Sequence, residues 1–527
     1  MKINIVIILL ISCTLVVGCN TINPKIQEVK QSSKVEESKI HKKVLPLEVA
    51  YLDNSLFPSL SLINSDIKNI LFQNNYTTLE GITTFRGNHL RNSPSFGKTS
   101  LKSKKLSNSW EFITSSSSWG GGAGWTGQPA IIKWPKQLRE NMNIKDSFKY
   151  KDNFTEVIYA SLDGNIYFID LETGQESREK INVGNPIKGS VSVDPRGIPL
   201  LYVGEGINEN SAVGFNIYSL IDGKKLYELD GKDSFADRGW PAFDSCAIVN
   251  PESDSIIIGG ENGVLYIIKL NSKYDINSNI ISINPEINKY KYTSPNSNGR
   301  LGIENSIATY GNLAYFADNN GIIQCIDLNT LKPVWYLDGL DDIDATLTID
   351  VVDDIPYIYC GNEVDHQGSS GLVKIKKING VTGELVWENE FACESLLGKK
   401  PVNGGLMSTN IIGKNKLSDT VIFSLARYKG FNKGGILALD KNTGNVKWEL
   451  ILDNYMWSSP VDIYDENGNG YILQGDSAGN LHLIDASNGS ILDTITLNGN
   501  IESSPAVFNN KLVVATRNNT IYSIDIN

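Results

Sequence analysis

Residues 471–493 read YILQGDSAGNLHLIDASNGSILD, and residues 157–174 repeat the same pattern as VIYASLDGNIYFIDLETG. Each stretch contains an apolar strand, a tight turn at Asp-Gly or a related sequence, a second strand that ends near Asp, and a turn at or near Thr-Gly. Glycine and asparagine supply the positive φ angles that such turns require. The pattern occurs eight times, and because repeats built from short strands pack side by side, it predicts an all-β propeller. The paired central strands are predicted to begin near Val157, Leu201, Ser255, Leu313, Pro356, Val421, Tyr471 and Leu512.

The two ends of the repeat region predict how the ring closes. The last unit, residues 511–527, contains two central strands and no outer strand. Residues 107–112, SNSWEF, have the pattern of the missing outer strand. Joining the two ends removes exposed strand edges, which otherwise favour aggregation. We therefore expect residues 81–527 to form one eight-bladed β-propeller closed by an N-terminal strand, with seven blades as the alternative.

The N-terminus has the pattern of an export signal. Lys2 precedes an apolar run from Ile3 to Val17, which is too short for a comfortable membrane span. The run ends in LVVGC, which resembles the lipobox of bacterial lipoproteins. This resemblance implies a signal peptide over residues 1–18 and a lipid on Cys19, which would hold the protein on the outer side of a bacterial membrane. An ordinary signal peptide or an uncleaved anchor is the alternative.

The segment between the signal and the repeats divides in two. Residues 19–45 are polar and rich in Lys, Glu, Ser and Gln. We expect them to form a disordered tether, because such a stretch buries too little apolar surface to offset the entropy of ordering. Residues 46–80 are more apolar, and they predict an N-terminal extension with a short helix over residues 65–72.

Charge and cysteine content exclude several functional classes. The formal net charge of −11 argues against a nucleic-acid partner, because phosphate binding needs a basic face. The four histidines are scattered, so they predict neither a zinc site nor a catalytic dyad. Of the six cysteines, Cys13 would leave with the signal. The four beyond Cys19 lack C-x-x-C spacing, so no metal site is expected, and disulfides between them stay open: Cys246, Cys325, Cys360 and Cys393.

The arrangement of each unit resembles the pyrroloquinoline-quinone (PQQ) repeat family of propellers, and the architecture is also similar to the outer-membrane-protein assembly lipoproteins. In the PQQ repeat an inner strand begins near Ser-Pro, two central strands follow, and a Thr-Gly turn leads to an outer strand with a tryptophan. Here Trp457-Ser458-Ser459-Pro460 opens one blade, and Trp335, Trp387 and Trp448 stand in outer strands. We expect these three tryptophans to join neighbouring blades, with each indole N–H donating to a carbonyl.

A short segment before the repeats carries a second point of resemblance. Many propellers of this family begin with a segment that contains Phe-Arg-Gly, as residues 83–97 do at Phe85-Arg86-Gly87. The resemblance implies a structural role in closing the ring. We therefore expect Arg86 and Arg91 to form salt bridges rather than to bind a substrate.

The residues that the quinone-dependent enzymes of this family use are not evident. Those dehydrogenases carry a vicinal disulfide, a calcium ion at the quinone, a catalytic aspartate and a tryptophan beneath the quinone. This sequence has no adjacent cysteines, and no residue clearly takes the place of that aspartate or tryptophan. We therefore expect neither PQQ nor calcium as a cofactor, and we assign no catalytic residue and no metal ligand.

Two further motifs match the sequence patterns of ligand sites, but their context does not support a ligand site. Gly122 to Gly127 match G-x-G-x-x-G, but Pro129 and an apolar run follow where a dinucleotide site needs a helix. Asp465 to Gly470 imitate a calcium loop. Asp476 would lie about 16 Å away along a strand that rises ~3.3 Å per residue, so a plain turn is expected. A partial calcium site over residues 465–469 is the alternative.

The best candidate for a binding site is the mouth of the propeller, where the outer-to-inner connections and the central hairpins converge. Four insertions also point there, namely residues 231–239, 282–303, 361–371 and 391–404. Aromatic, arginine and carboxylate side chains on loops form a plausible binding surface. The alternative is that the same residues only fill and cap the channel. The candidates are Trp125, Gln128, Trp240, Asp244, Arg300, Glu304, Asp344, Asn403, Arg427 and Trp457.

Together these features predict a membrane-anchored, extracytoplasmic propeller that is not an enzyme. It would bind a protein, peptide or glycan or serve as a scaffold, with the membrane contacted through the lipid anchor. One alternative is a scaffold of the outer-membrane-assembly type. Another is a PQQ-dependent sugar or alcohol oxidoreductase, because propellers carry unrelated functions on one fold.

Overall fold

Eight antiparallel sheets follow one another along the chain, and each forms one blade of a propeller. In this computed structural model the described residues are 43–52, 61–63, 69–124, 127–207, 212–292, 300–398 and 402–527. Residues 43–527 form one compact unit. Three predicted features lie outside the described residues: the signal peptide with the lipidation site Cys19, the tether up to residue 42, and Trp125.

Each blade contains an inner strand, two central strands and an outer strand. The inner strands of blades 1 to 8 are Ala130–Lys133, Ser192–Val193, Ile248–Asn250, Ala308–Tyr310, Thr348–Val352, Ile411–Ile412, Val461–Tyr464 and Ala506–Phe508. The first central strands are Glu156–Ala160, Leu200–Gly204, Ser255–Gly259, Leu313–Phe316, Ile355–Cys360, Thr420–Ala426, Gly470–Gly475 and Lys511–Thr516. The second central strands are Asn165–Asp170, Gly214–Ser219, Leu265–Lys269, Ile322–Asp327, Ser370–Asn379, Gly434–Asp440, Asn480–Asp485 and Thr520–Ile526. The outer strands are Ile181–Asn182, Lys225–Asp230, Glu286–Lys291, Lys332–Asp338, Leu385–Glu394, Val446–Leu452, Ser490–Thr496 and Leu106–Ile113.

A few short elements decorate this frame. The additional strands are Ser61–Ile63, Glu80–Ile82, Ser95–Phe96, Ser116–Ser117, Gly120–Gly121, Lys273–Asp275, Ile280–Ser282, Glu363–Val364 and Gly404–Gly405. The helices are Lys136–Arg139, Asp146–Lys149 and the 3-10 turn Asn415–Leu417. Within the described part of the chain, no helix has the length and apolar character needed to cross a membrane.

Ring closure occurs between the two ends of the repeat region, as predicted. The strand Leu106–Ile113 pairs antiparallel with the last strand of the chain, with Leu106 opposite Ile526 and Ile113 opposite Thr520. This strand supplies the outer edge of blade 8, so the eight-bladed prediction is confirmed and the seven-bladed alternative is wrong. The central strands of all eight blades also begin within about one residue of their predicted positions.

The hydrophobic core lies between neighbouring blades. Central strands are buried on both faces because each blade packs against two others, so they read as nearly continuous apolar runs. One buried cluster joins blade 7 to blade 8 through Leu473 and Val514, and another joins blade 8 to blade 1 through Ala515 and Tyr159. The second of these clusters completes the hydrophobic contact around the ring.

Tryptophans of the outer strands join adjacent blades, as predicted. The indole N–H of Trp335 donates to Gly380 O at 2.8 Å, and those of Trp387 and Trp448 donate to Lys441 O and Ala486 O at 3.0 Å. Each acceptor belongs to the next blade. Trp110 of the closing strand makes the same bond to Leu171 O at 2.8 Å, so the closing strand follows the repeat pattern.

The turn glycines explain why tryptophan and Thr-Gly occur together in this repeat. Gly383 has a φ of 76°, which favours glycine. A Cβ atom added there would lie 2.6 Å from Cγ of Trp335 in the preceding blade. The glycine therefore serves both the turn and the close packing of the indole ring.

The two faces of the disc carry different connections. At one face, called the bottom here, inner strands turn into central strands and second central strands turn into outer strands. The opposite face, called the mouth, carries the outer-to-inner connections and the central hairpins. The N-terminal extension lies on the bottom, where Leu47 N donates to Asn312 Oδ1 at 2.7 Å and Phe72 N donates to Gly311 O at 2.8 Å.

This extension differs from the sequence prediction in two respects. Val44 is buried and its N–H donates to Gln73 Oε1 at 3.0 Å, so the ordered chain begins before residue 46, inside the predicted tether. Residues 69–72 are not helical, and Phe72 bridges to Gly311 as a strand would. Residues 65–68 of the predicted helix lie outside the described residues.

Residues 80–97, called the plug here, enter the central channel from the bottom and return to it. Glu80–Ile82 pairs with the inner strand of blade 1, and Ser95–Phe96 pairs with the inner strand of blade 8. Between these ends, plug oxygens accept hydrogen bonds from inner-strand N–H groups of blades 2, 4 and 5. The pairs are Thr83 O with Val193 N at 2.7 Å, His89 O with Thr309 N at 2.8 Å, and Leu90 O with Ile349 N at 3.0 Å.

Two arginines form the tip of the plug. Arg86 donates to Pro460 O at 2.6 Å and to Asn410 O at 2.8 Å, which links the plug to blades 7 and 6. Arg91 donates to Ile307 O and Cys246 O at 2.9 Å, which links it to blades 4 and 3. Burial lowers the pKa of Arg86 to about 10, and it also lowers that of Arg91. A structural role is thus apparent, but the predicted salt bridges are wrong, because among the described residues neither arginine pairs with a carboxylate.

Candidate functional site

The mouth is held together by hydroxyl groups at the start of the inner strands. Backbone N–H groups donate to a hydroxyl of the next blade: Cys246 N to Ser306 Oγ at 2.9 Å, and Ser306 N to Thr346 Oγ1 at 2.9 Å. Thr346 N continues the series to Thr409 Oγ1 at 3.2 Å, and Thr409 N to Ser459 Oγ at 3.0 Å. This belt lies directly above the plug tip. A ligand at the mouth therefore meets a rigid floor rather than an open channel.

Six buried or partly buried carboxylates stand on the mouth side of this floor, and we call them the acidic basin. They come from outer-to-inner connections and central hairpins of blades 3, 4 and 5, so they are distant in sequence and share one sector of the face. Five are buried and Glu304 is partly buried. The members are Asp244, Glu261, Glu304, Asp342, Asp344 and Glu363.

One half of the basin already holds a cation of the protein itself. The ammonium of Lys188 pairs with Asp244 and lies 3.8 Å from Glu261 Oε1. Burial opposes the charge of Lys188, yet Asp244, Glu261 and Glu304 together raise its pKa. Burial raises the pKa of Asp244 to about 6, and the charge of Glu304 adds to this effect while Lys188 counters it.

The other half of the basin has no such partner. Asp344 and Glu363 lie within hydrogen-bonding reach of each other, and burial followed by neighbouring carboxylates raises the pKa of both. Asp344 Oδ1 and Glu363 Oε1 are buried and have no hydrogen-bond partner among the described atoms. Two carboxyl groups this close do not both ionise readily and favour sharing a proton. We call this the unmatched half because no described cation pairs with it.

Amide and guanidinium groups border the unmatched half. Asn403 Nδ2 donates to Glu363 Oε2 at 3.1 Å, and Asn403 O accepts from Arg427 Nε at 3.0 Å. The guanidinium of Arg427 lies 4.2 Å from the ring centres of both Phe431 and Tyr455. A cation between two aromatic faces is held by electrostatic attraction to the rings. Arg427 is therefore fixed in place rather than free to neutralise the basin.

The structure brings together five of the predicted mouth residues, because Arg427 bonds to Asn403 at the border of the basin, and it places the others separately. Asp244 and Glu304 meet in the half with Lys188, and Asp344 is joined to Asn403 through Glu363. Gln128 instead clamps the plug: its Oε1 accepts from Arg86 N at 2.7 Å and its Nε2 donates to Pro505 O at 2.9 Å.

The remaining candidates lie at the edge of the mouth. Trp240 is 46% exposed, and Arg300 is exposed with Asp365 as its electrostatic neighbour. The ring centres of Trp457 and Tyr455 lie 5.8 Å apart, and the buried Nε1 of Trp457 has no partner among the described atoms. None of these placements tests binding, so the mouth remains a prediction.

Sequence reasoning missed Lys188, Glu261, Asp342 and Glu363. A signal for two of them exists in the hairpin after the first central strand. Three blades have Asp there, namely Asp163, Asp318 and Asp476, whose carboxylates close the turn on itself. Glu261 and Glu363 carry a longer side chain at that point of the repeat, which reaches the basin instead.

Exposed apolar side chains stand on the mouth loops of several blades, and we call them the rim. They sit on outer-to-inner connections, except for one that follows the first central strand of blade 6. Large exposed apolar side chains on one face are typical of a surface that contacts another molecule. The rim consists of Trp119, Trp240, Leu340, Leu396, Leu397 and Phe431, with exposures of 46%, 46%, 43%, 48%, 51% and 36%.

The three carboxylates around Lys188 are the one set of described acidic, histidine or cysteine side chains whose ligand atoms lie within 4.8 Å of one another. Such a set could bind a divalent ion. Here the ammonium of Lys188 already pairs with it. The four described cysteines are all free and separate, and no two are adjacent, as a vicinal disulfide requires. The described cysteines therefore do not form the adjacent pair that the quinone-dependent enzymes of the repeat family are expected to carry.

The calcium-like sequence at Asp465 forms a turn. Asp465 Oδ1 accepts from Asn467 N at 2.9 Å and from Asn469 N at 2.8 Å, and Gly468 has a φ of 76°. Asp476 lies at the other end of the following strand and closes its own turn with Ala478 N and Asn480 N at 2.9 Å. The two aspartates serve separate turns, as expected.

Comparison with known proteins supports the fold. A family model described as outer membrane protein assembly factor BamB matches residues 432–527. No curated protein matches the chain. Quinohaemoprotein alcohol dehydrogenases from Pseudomonas putida and Comamonas testosteroni are similar in structure, with TM-scores of 0.58 and 0.54 and identities of 11% and 12%; each alignment covers 85% of this chain and 80% of the other.

BamB from Moraxella catarrhalis aligns over 70% of this chain and 93% of its own, with 19% identity and a TM-score of 0.45. The eight sheets, the closing strand and the tryptophan contacts between blades agree with the match to the repeat family. The chain therefore folds as an eight-bladed β-propeller that is similar to those of the PQQ repeat family.

Proposed function

We propose that this propeller is a non-catalytic binding scaffold, anchored on the extracytoplasmic side of a bacterial membrane through a lipid on Cys19, and that it holds a protein or peptide at its mouth. The observation that carries the proposal is the combination of a plugged channel with an apolar rim and the acidic basin. A scaffold role also agrees with the description of the family whose model matches residues 432–527.

The plug directs a partner to the surface of the mouth. Residues 80–97 bond to the inner strands from the bottom up to the hydroxyl belt, so the channel offers no passage to a small substrate. A partner must therefore contact the loops. Exposed Trp, Phe and Leu side chains around polar groups are the composition that protein interfaces favour.

The described part of the N-terminal extension leaves the mouth uncovered. Residues 43–52 and 69–76 lie on the bottom face, where Tyr51 Oη donates to Asp327 at 2.6 Å. The mouth loops are therefore not occupied by these residues and can meet a partner.

Site-specific photo-crosslinking tests this proposal. The full chain would carry a photoreactive residue at Trp240 or Phe431 on the rim, or at Val446 or Ile491, which are 48% and 44% exposed on outer strands. We expect discrete crosslinked products from the two rim positions and few from the two outer-strand positions. The double variant Trp240→Ala/Phe431→Ala should reduce capture of the same partner. Crosslinks confined to the outer strands would contradict a mouth site.

A further inference from the structure

The two halves of the acidic basin differ in a way that points to a ligand chemistry. Asp244, Glu261 and Glu304 surround the ammonium of Lys188, which shows that this part of the mouth accommodates a primary ammonium. The adjoining half repeats the carboxylates without the cation. Glu304 belongs to both halves, because its charge also raises the pKa of Asp344, after burial and the charge of Asp342.

The unmatched half contains two carboxyl groups, each with one oxygen that lacks a hydrogen-bond partner among the described atoms. Asp344 and Glu363 are 6% and 0% exposed, and Asp344 Oδ1 and Glu363 Oε1 have no hydrogen-bond partner among the described atoms. A buried acceptor without a donor costs free energy, and this cost falls when a donor binds. A ligand with N–H donors and a positive charge would therefore be favoured here.

Two further carboxylates and a histidine stand beside this half. Asp365 contacts His366 Nε2 at 3.0 Å, and His366 Nδ1 lies 3.0 Å from Asp341, so this imidazole is shared by two further carboxylates. The positive charge of the exposed Arg300 opposes the rise in the pKa of Asp365, and that of Arg238 opposes the rise in the pKa of Glu261. No described cation is paired with Asp344 or Glu363.

The spacing favours an extended cationic ligand over a metal ion. Asp342, Asp344 and Glu363 are not among the described ligand sets whose atoms fall within 4.8 Å of one another. A divalent ion needs several oxygens around one point. Separate carboxylates beside an apolar rim instead suit a flexible amine whose hydrocarbon stem packs on the rim while its head enters the basin.

We propose that the mouth binds the ammonium of a lysine side chain of the partner between Asp344, Glu363 and Glu304, in the manner in which Lys188 occupies the adjoining half. This proposal rests on the proposed function and names the chemistry of its partner, a basic peptide segment with apolar neighbours. Free polyamines share the ammonium chemistry but lack the apolar residues that the rim would contact.

The test measures binding of a fluorescent peptide with alternating lysine and leucine to the purified full chain in detergent, with anisotropy as the readout. We expect saturable binding that weakens at least tenfold in the double variant Asp344→Asn/Glu363→Gln. The matched control Glu172→Gln/Glu466→Gln, which changes two exposed carboxylates, should bind as the wild type does. Thermal unfolding of the variant shows that it is folded.

Three outcomes would overturn the proposal. The first is equal binding of the same peptide after acetylation of its lysines, and the second is tight binding of spermidine with none of the peptide. The third is unchanged peptide affinity in the Asp344→Asn/Glu363→Gln variant. Rim crosslinks to a partner that this variant captures normally would reject the lysine site and leave the binding scaffold intact, whereas absence of rim crosslinks would reject the scaffold proposal itself.

Discussion

The plug tip and the mouth above it bury charge in opposite ways. At the tip, Arg86 and Arg91 are fully buried, and they donate to main-chain carbonyls of four blades and to groups of the plug itself. At the mouth, Asp344 and Glu363 are also buried, and one oxygen of each has no partner among the described atoms. The arginines link blades even though Arg86 Nε has no partner among the described atoms, whereas the two carboxyl groups have no described cation beside them and lower stability.

The largest expected change in stability comes from a substitution in the plug. Arg91→Ala would remove bonds to Ile307 O, Cys246 O, Phe85 O and Thr84 Oγ1 and leave buried carbonyls without donors. We expect a loss of about 3–5 kcal/mol in the free energy of unfolding, because uncompensated buried acceptors are costly. Denaturant titration measures it. The partly exposed Arg517→Ala should change stability by less than about 1 kcal/mol, and a similar small effect for Arg91→Ala would contradict the linking role.

A second prediction separates the two halves of the basin. Lys188→Met keeps the length of the stem and removes the ammonium, so Asp244 and Glu261 lose their internal partner. We expect about 2–3 kcal/mol of destabilisation, since breaking a largely buried ion pair leaves an uncompensated charge.

Calcium should restore part of that loss in the variant. Three carboxylates whose oxygens lie within 4.8 Å of one another form a plausible ion site once the ammonium is gone. The measurement is thermal unfolding of the variant with and without millimolar calcium, in buffer without magnesium. The wild type under the same conditions is the control. A calcium response of equal size in the wild type would show that Lys188 does not occupy the site.

The sequence predicted the parts of this molecule that local patterns encode. Central strands, turn glycines and outer-strand tryptophans recur along the repeats. Their positions, and the closure by residues 106–113, could therefore be predicted from the sequence. The plug could not be traced, because Arg86 and Arg91 bond to main-chain carbonyls, which are the same for any residue type. Their cationic character suggested carboxylate partners, and that expectation failed.

The site was predicted in part for a similar reason. Asp244, Glu304 and Asp344 share one register position before an inner strand, so the repeat itself places them at the mouth. Lys188 lies in an outer-to-inner connection, where register gives no guidance, and the hairpin position of Glu363 places it at the mouth without showing which residues it meets. Their meeting with Asp244 and Asp344 depends on how neighbouring blades pack, and a single blade does not show this.

A smaller effect of opposite sign is expected at the unmatched half. Asp344→Asn/Glu363→Gln preserves shape and removes two buried charges, so we expect the free energy of unfolding to rise by about 1 kcal/mol near pH 7. Burial raises the pKa of both groups, so in the wild type their contribution to stability is fully present below the ordinary carboxyl pKa and is lost as pH rises through the folded pKa.

The pH dependence sharpens this prediction. Relative to wild type, the double variant should gain stability as pH rises from about 4 through neutrality, because it lacks groups that bind protons more tightly when folded. Denaturant titration at several pH values measures the difference. Asp485→Asn, which changes an aspartate that is partly exposed and closes a turn, serves as the control. A difference that falls with rising pH would mean that Asp344 and Glu363 are stabilised as anions in the folded protein.

The smallest expected effect concerns the quinone chemistry of the similar dehydrogenases. PQQ added together with calcium should leave the midpoint of thermal unfolding of the full chain unchanged within about 1 °C, because a ligand stabilises the folded state only when it binds there. The reasons are structural: Lys188 already neutralises the carboxylates best placed for an ion, and the plug tip closes the floor below the mouth. Dye reduction with alcohols or sugars should likewise stay at the level without protein. A clear upward shift in the wild type that Asp244→Asn abolishes would place the quinone at the basin. The plug would then be the structural support beneath an active site at the mouth.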